Sequence, residues 1–190
     1  MAVLTVVGLD PSLRNWGIAK GTYDTSSQQV GIYNLDVVNT ESKKRKLIRQ
    51  NTQDITAATK LMTEVAAACT DADVIFIEVP VGSQSSRACV SYGICIGILG
   101  ALNYLEKPFF ELTPTEVKLA TVGKKTASKR EMISWAVNKH LSAPWPTRQL
   151  KGESKIVEGT AEHMADAVAT IYAGIKSDLF KQVCNIQFNQ

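Results

Sequence analysis

Val3-Leu4-Thr5-Val6-Val7-Gly8-Leu9-Asp10-Pro11 is the stretch on which the reading of this chain turns. Val3 to Leu9 is apolar and rich in β-branched residues, the pattern of a strand buried on both faces, and Asp10-Pro11 stops it. Trp16–Tyr23 and Val30–Val38 repeat the pattern, joined by the polar turn Asp24-Thr25-Ser26-Ser27-Gln28-Gln29, which predicts an antiparallel meander of three strands. Asn51–Cys69 carries Ile55, Leu61, Met62, Val65 and Ala68 at helical spacing. Asp73–Val79 is a short, very apolar strand with Glu78 near its end, and Pro108–Leu112 is a last short strand. Between them, Gln84–Leu105 reads as a long buried helix. Gly93, Gly97 and Gly100 weaken it by nearly ~1 kcal/mol each against alanine, so close packing against a neighbour is the expected compensation.

The rest is helical. Thr113-Pro114-Thr115-Glu116 has the makings of a capped start, with Thr113 as N-cap and Glu116 closing a capping box. Lys129–His140 is amphipathic and Ala161–Lys176 is the last strong helix, while Leu141–Thr160, with Pro, Trp, Gly and charges, reads as an exposed loop. An antiparallel start joined to parallel βα units predicts an α/β fold: a mixed five-stranded sheet with helices on both faces and the first strand central. At 190 residues the chain fits one domain, 1–190.

Composition narrows the classes of function. The first apolar run begins within three residues of Met1, so no secretory leader is expected, and no apolar run reaches the ~20 residues of a membrane span. The expected location is cytoplasmic, in a bacterium or in the host of a phage. Cys69, Cys89, Cys95 and Cys184 lack paired metal spacing and fit small buried hydrophobes in a reducing compartment. A net charge of +3 does not by itself announce a nucleic-acid partner. The distribution says more: Lys43, Lys44, Arg45, Lys46 and Arg49 form one basic run, and Lys118, Lys124, Lys125, Lys129 and Arg130 another.

Three acidic residues stand where an unpaired structural carboxylate is costly. Asp10 ends the first strand, Glu78 ends the fourth, and Asp166 lies among Met164, Val168 and Ile171 on an apolar helix. If the two strands are adjacent and parallel, Asp10 and Glu78 leave the same sheet end, and a helix across that end adds Asp166 and His163, three residues apart on one face. Clustered carboxylates suit a hard divalent cation, Mg²⁺ with Mn²⁺ as substitute, of the kind that activates water against a phosphodiester. Taken singly, Asp10 also fits a turn or cap, Glu78 an exposed strand end, His163 a surface histidine and Lys118 a solvated helix lysine.

Four segments in order resemble the RuvC-type Holliday junction resolvases of the RNase H-like superfamily. Gly8-Leu9-Asp10-Pro11, with Gly17 downstream, looks like the first motif, and Ile75-Phe76-Ile77-Glu78 resembles the second. Thr113-Pro114-Thr115-Glu116-Val117-Lys118, then Gly123 and Ala127-Ser128-Lys129, is similar to the family's basic segment. His163-Met164-Ala165-Asp166-Ala167-Val168-Ala169 is similar to its C-terminal acidic motif. The resemblance implies an RNase H-like fold, a homodimer, and Mg²⁺-dependent paired nicking of four-way DNA junctions. It implies that Asp10, Glu78, His163 and Asp166 form the metal and catalytic cluster, that some relatives carry Asp in place of His163, and that Lys118 lies near the scissile phosphate. Lys118, Lys124, Lys125, Lys129 and Arg130 would hold a DNA arm.

Two departures stand out. Ser12 replaces the usual glycine after Asp-Pro, and Val81 stands where bacterial members carry an aromatic that packs on bases at the junction centre. The second keeps open a nuclease for forks, flaps or RNA–DNA hybrids. Trp145, Arg148, Lys151 and Lys155, in a stretch longer than the family's, suit either a DNA contact or a plain loop. An actin-like ATP-binding fold would need a second domain and a second phosphate loop, and a binding module without chemistry would not need all three carboxylates.

Overall fold

A computed structural model describes residues 2–41, 48–79, 81–82, 85–104, 106–150 and 152–188. The basic run Lys43–Lys46 and Lys151 lie outside the described residues, whereas Arg49 is exposed. The strands are β1 (Val3–Asp10), β2 (Asn15–Asp24), β3 (Val30–Asn39), β4 (Val74–Glu78) and β5 (Phe109–Leu112), in the order β3-β2-β1-β4-β5. As predicted, β1 is central, antiparallel to β2 and parallel to β4, in a mixed five-stranded sheet.

Both faces of the sheet are covered, which explains why β1 and β4 are apolar without alternation. Val7, Leu9, Ile75 and Ile77 pack with Leu61 and Val65 of α1 (Gln50–Cys69) and with Ile98, Leu99 and Leu102 of α2 (Ser86–Asn103). Leu4, Val6, Val74 and Phe76 face the other way, into a core with Ala165, Val168 and Ile171 of α5 (Glu158–Lys176). Val117 of α3 (Pro114–Thr121), Met132 and Ala136 of α4 (Lys129–Lys139), and Phe180 of α6 (Asp178–Val183) complete that core. The capping box at Thr113–Glu116 forms as the sequence predicts, and Ser128–Glu131 repeats it on α4.

Helix α5 sits unusually close to the sheet. A methyl group on Gly8 would strike the carbonyl oxygen of Ala167, one on Gly17 the carbonyl oxygen of His163, and one on Gly174 the ring of Phe76. Glycines on β1 and β2 meet the backbone of the helix, and a glycine on the helix meets an aromatic ring of β4. The small residues Ala161, Ala165, Ala169 and Ala173 line the same buried helix.

Four expectations need correction. The buried stripe of α1 is Asp54, Ala57, Leu61, Val65 and Cys69, with Ile55 exposed, because Asp54 is bound by the bidentate guanidinium of Arg87 at 2.6 Å and can sit inside. Helix α2 is mostly exposed rather than buried, and among the described residues nothing lies within 4 Å of where side chains on Gly93, Gly97 or Gly100 would begin. Cys89 on that helix is exposed, while Cys69, Cys95 and Cys184 are buried. The stretch 141–160 is no simple loop: Ala143 and Trp145 join the core, and β6 (Thr147–Leu150) pairs antiparallel with β7 (Glu153–Ile156) in a separate exposed hairpin. The chain also continues in helix past Lys176, through α6 and a π-helical turn, Cys184–Phe188, that hydropathy spacing did not reveal.

If glycine sets the seat of α5, Gly17→Ala should cost ~1–3 kcal/mol in chemical denaturation, the range of overpacked cores. Gly159→Ala, in open space on the same helix, should be neutral or stabilising by up to ~1 kcal/mol. Equal effects at the two positions would refute the close-seat account.

Candidate active site

The site is assembled from three elements. Register along β1 and β4 pairs Leu9 with Ile77, which brings Asp10 and Glu78 to the carboxyl ends of adjacent parallel strands. Helix α5, seated on Gly17, carries His163 over that end, and His163 Nδ1 lies 3.0 Å from Asp10 Oδ2. Asp166, one helical turn on, comes within electrostatic reach of Asp10, Glu78 and His163. Opposite, α3 starts where β5 ends, and Lys118 in its last turn acts on both Glu78 and Asp166. All five residues singled out from the sequence as catalytic candidates, Asp10, Glu78, His163, Asp166 and Lys118, therefore meet in one place.

That place is electrostatically costly. Burial, then the charges of Asp10 and Asp166, push the Glu78 carboxyl up to about 8. Burial, then Asp10 and Glu162, push Asp166 up to about 7. Burial raises Asp10 too, although its hydrogen bond to His163 opposes the rise. The same hydrogen bond, ahead of the opposing burial, raises His163 and favours its imidazolium form. Each cause is general: a low-dielectric setting and like charges both disfavour the ionised carboxylate. Fully ionised, the three carboxylates would outnumber the two cations Lys118 and His163.

The predicted DNA-binding cations fare differently. Lys125 is exposed, and Lys118 is partly buried beside the carboxylates. Lys124 instead pairs with Glu131 at 2.8 Å, Lys129 with Glu162 at 2.6 Å, and Arg130 with Glu158 at 3.7 Å. These last three remain exposed and their pairs are of the weak surface kind, so each cation can exchange its glutamate for another anion.

Three features were not read from the sequence as parts of the site. Gly17 is one, legible only as a motif letter until α5 lands on it. The link from Glu162 to Lys129 is another, tying α4 to α5 beside His163. The third is the Arg87–Asp54 clamp at the start of α2, where the segment after Glu78 ends. Its signal was present: an aspartate at 54 occupies the apolar stripe that continues through 57, 61 and 65. Ser12, the departure after Asp-Pro, keeps a negative φ and needs no glycine. Trp145, considered as a DNA contact, is buried, its Nε1 donating to the carbonyl of His140 at 2.8 Å.

No protein-family model and no curated protein matches the chain. Solved structures do. Thermus thermophilus RuvC in complex with a Holliday junction substrate superposes with a TM-score of 0.65 at 15% identity, over 90% of this chain and 92% of that one. A second Thermus thermophilus RuvC structure gives 0.63 at 16% identity, over 90% and 93%. Fowlpox virus resolvase with Holliday junction DNA gives 0.46 at 12% identity, over 97% and 100%. The likeness to the two RuvC structures establishes a shared RNase H-like fold of the RuvC type.

The carboxylates give the protein a distinctive pH response. Between about pH 5 and 8 the folded state holds protons on Glu78 and Asp166 that the unfolded chain has released, so stability should fall as pH rises through that window. His163 adds to the slope, because its contribution is complete below its unfolded value and is lost as pH rises through its raised folded value. Asp54 and Glu116, both lowered, act only on acidification below the ordinary carboxylate range. Thermal melts should show a falling Tm from pH 5 to 8.5, and Asp166→Asn should flatten the slope and raise Tm at pH 8. A flat profile in the parent protein would contradict the buried-charge account.

Proposed function

We propose that this chain is a metal-dependent endonuclease that cuts branched DNA, with four-way junctions as its principal substrate. The observation that carries the reading is the convergence of Asp10, Glu78 and Asp166, from two strands and a helix, at one end of a RuvC-type sheet. Such mutual repulsion is hard to explain as architecture and is relieved by a divalent cation. Among the described residues no three ligating side chains already enclose a point. An open donor set of oxygens suits Mg²⁺, which keeps several of its waters and takes few carboxylates; Mn²⁺ accepts the same ligands.

In this reading Asp10, Glu78 and Asp166 hold the cation, and His163 stands beside them. Bound there, the metal supplies an activated water and neutralises charge on the phosphodiester. Asp10 fixes the imidazole of His163 through Nδ1, which leaves Nε2 to accept or return a proton. Lys118, within electrostatic reach of Glu78 and Asp166, stabilises charge developing on the phosphate. Hydrolysis without a protein nucleophile leaves 5′-phosphate and 3′-hydroxyl ends and no covalent adduct. Lys124, Lys125, Lys129 and Arg130 bind the backbone of a duplex arm, three of them by releasing their glutamates.

Paired incision requires two copies, and α2 supplies a face for a second one. Val90, Gly93, Ile96, Gly97, Gly100 and Tyr104 recur at three- and four-residue intervals on its exposed side, so another helix can approach closely. Beside it, Met62, Ile94, Gly97 and Ala101 line a largely apolar groove of about 460 Å³ between α1 and α2. Length and composition would also let α2 cross a bilayer, but Cys95, Ile98, Leu99 and Leu102 pack one face of it into the core on the α1 side of the sheet.

One observation favours a second reading. Val81, just beyond Glu78, is 59% exposed and aliphatic, with no ring to stack on a base. That suits forks or flaps, whose strands need no stacked wedge at a four-arm centre.

Cleavage of labelled four-way junction, fork, duplex and RNA–DNA hybrid in Mg²⁺ tests the reading. Symmetric nicks on the junction are expected, with Asp10→Asn slowing them by about 10³-fold or more. Equal cutting of fork and junction would transfer the assignment to the second reading, and a strand left covalently bound to protein would end the hydrolytic scheme. Ile96→Glu should shift sedimentation towards the monomer and convert paired cuts into single nicks; an unchanged dimer would remove α2 as the interface.

A further inference from the structure

The hairpin β6–β7 is unlike the rest of the surface. It is a two-stranded sheet on its own, exposed along its length apart from the partly buried Ile156. A lone ribbon of this size is marginal in water, so its form depends on its base. The base is held firmly. Val157 N donates to the carbonyl of Pro146 at 2.8 Å, and buried Trp145 donates through Nε1 to the carbonyl of His140. His140 in turn meets the hydroxyl of Tyr172 on α5 at 2.9 Å. Gly152, at φ 84°, lies at the tip beyond the paired Leu150 and Glu153.

On this anchored arm, Arg148 lies directly opposite Lys155 in the ladder. Like charges facing each other across two strands are destabilising, by an amount of order 0.2–1 kcal/mol. Lys155 finds Glu153 on its own strand at 3.2 Å. Among the described residues, no carboxylate pairs with Arg148. The contrast with α4 is informative, since Lys129 and Arg130 there each face a glutamate. Two cations of α4 are held by glutamates of α5, whereas among the described residues no carboxylate holds the guanidinium on the hairpin. An external anion would resolve the conflict, and a guanidinium matches phosphate oxygens in a two-point geometry.

We propose that the β6–β7 hairpin is a phosphate-backbone clamp, with Arg148 and Lys155 gripping a duplex arm of the nucleic-acid substrate beside the carboxylate site. The assignment rests on the nuclease reading above. Position favours duplex over an isolated anion. Lys155 precedes the start of α5 by three residues and His163 follows it by five, a path of at most ~18 Å. That corresponds to about five base pairs at ~3.4 Å each, so one arm can span the cutting site and the hairpin.

The test is anisotropy of a labelled four-way junction and of a linear duplex, titrated with salt, in the Asp10→Asn background that blocks cutting. Arg148→Gln with Lys155→Gln should weaken binding about tenfold and make the slope of log affinity against log salt shallower by about 1–2. Its Tm should stay level or rise, because a like-charge pair has been removed. Thr147→Ala with Gln149→Ala, on the opposite face of the ribbon, should leave affinity and slope unchanged. Unaltered binding in the charge variant overturns the proposal while the nuclease reading stands. So does a loss of affinity matched by a fall in Tm, or an equal loss in the opposite-face control. If the parent background binds neither DNA, the nuclease reading itself fails and takes the clamp with it.

Discussion

Everything that gives this molecule a site depends on how closely α5 lies against β1 and β2. A side chain of any size at Gly8 or Gly17 would occupy the space taken by the carbonyl oxygens of Ala167 and His163. Such a separation is set by backbone touching backbone, which is stiffer than contact through flexible side chains. The consequence reaches the chemistry directly. Gly17 pairs with Asp10 in the ladder, so the residue that admits the helix is the cross-strand neighbour of the carboxylate that the helix must meet. The 3.0 Å approach of His163 to Asp10 is therefore a by-product of core packing and needs no separate device to hold it.

The same closeness creates the conflict at the site. Asp10 and Glu78 are fixed by strand register and Asp166 by the helix, so none can retreat from the others without unfolding an element. Two ordinary escapes are not taken: the carboxylates sit on strands and a helix, and among the described residues no arginine neutralises them as Arg87 neutralises Asp54. The comparison between the two buried acids is instructive. Asp54 receives a bidentate partner and falls below its usual pKa, while burial, then the charges of Asp10 and Glu162, outweigh His163 and Lys118 and raise Asp166 to about 7. An acid stabilised in place is architecture. Acids left in mutual repulsion keep free energy available to whatever cation or proton arrives.

Much of this was legible before any coordinates. The strands, the central place of β1, the capped start of α3 and the gathering of Asp10, Glu78, His163 and Asp166 follow from hydropathy runs that end on charged residues. What escaped notice shares a physical cause: an apolar or charged residue states its preference for a surroundings, but not which neighbour supplies it. Ile55 and Asp54 exchanged roles because the guanidinium of Arg87, distant in sequence, makes the aspartate the better buried residue. Helix α2 is apolar on both sides, so no periodicity marks the exposed one. The hairpin at 147–156 was hidden because polar strands exposed on both faces show no alternation, and the buried Trp145 was masked by the prolines around it.

The distribution of positive charge completes the picture, and a net charge of +3 conceals it. The sequence groups Lys118, Lys124, Lys125, Lys129 and Arg130 into one basic run. The fold holds Lys124, Lys129 and Arg130 with glutamates, whereas among the described residues no glutamate holds Lys125 or, on the hairpin, Arg148. The division matters for how a polyanion would be received. A cation already paired must give up its glutamate, so its net gain on binding phosphate is small, yet the carboxylate it releases repels the incoming backbone and penalises poor placement. An unpaired cation contributes its full attraction at any register. Lys129 and Arg130, held by Glu162 and Glu158 on the same helix as His163, belong to the first kind, and Arg148 on the hairpin to the second. Attraction at the periphery and discrimination at the centre then arise from a single helix and the ribbon that leads into it.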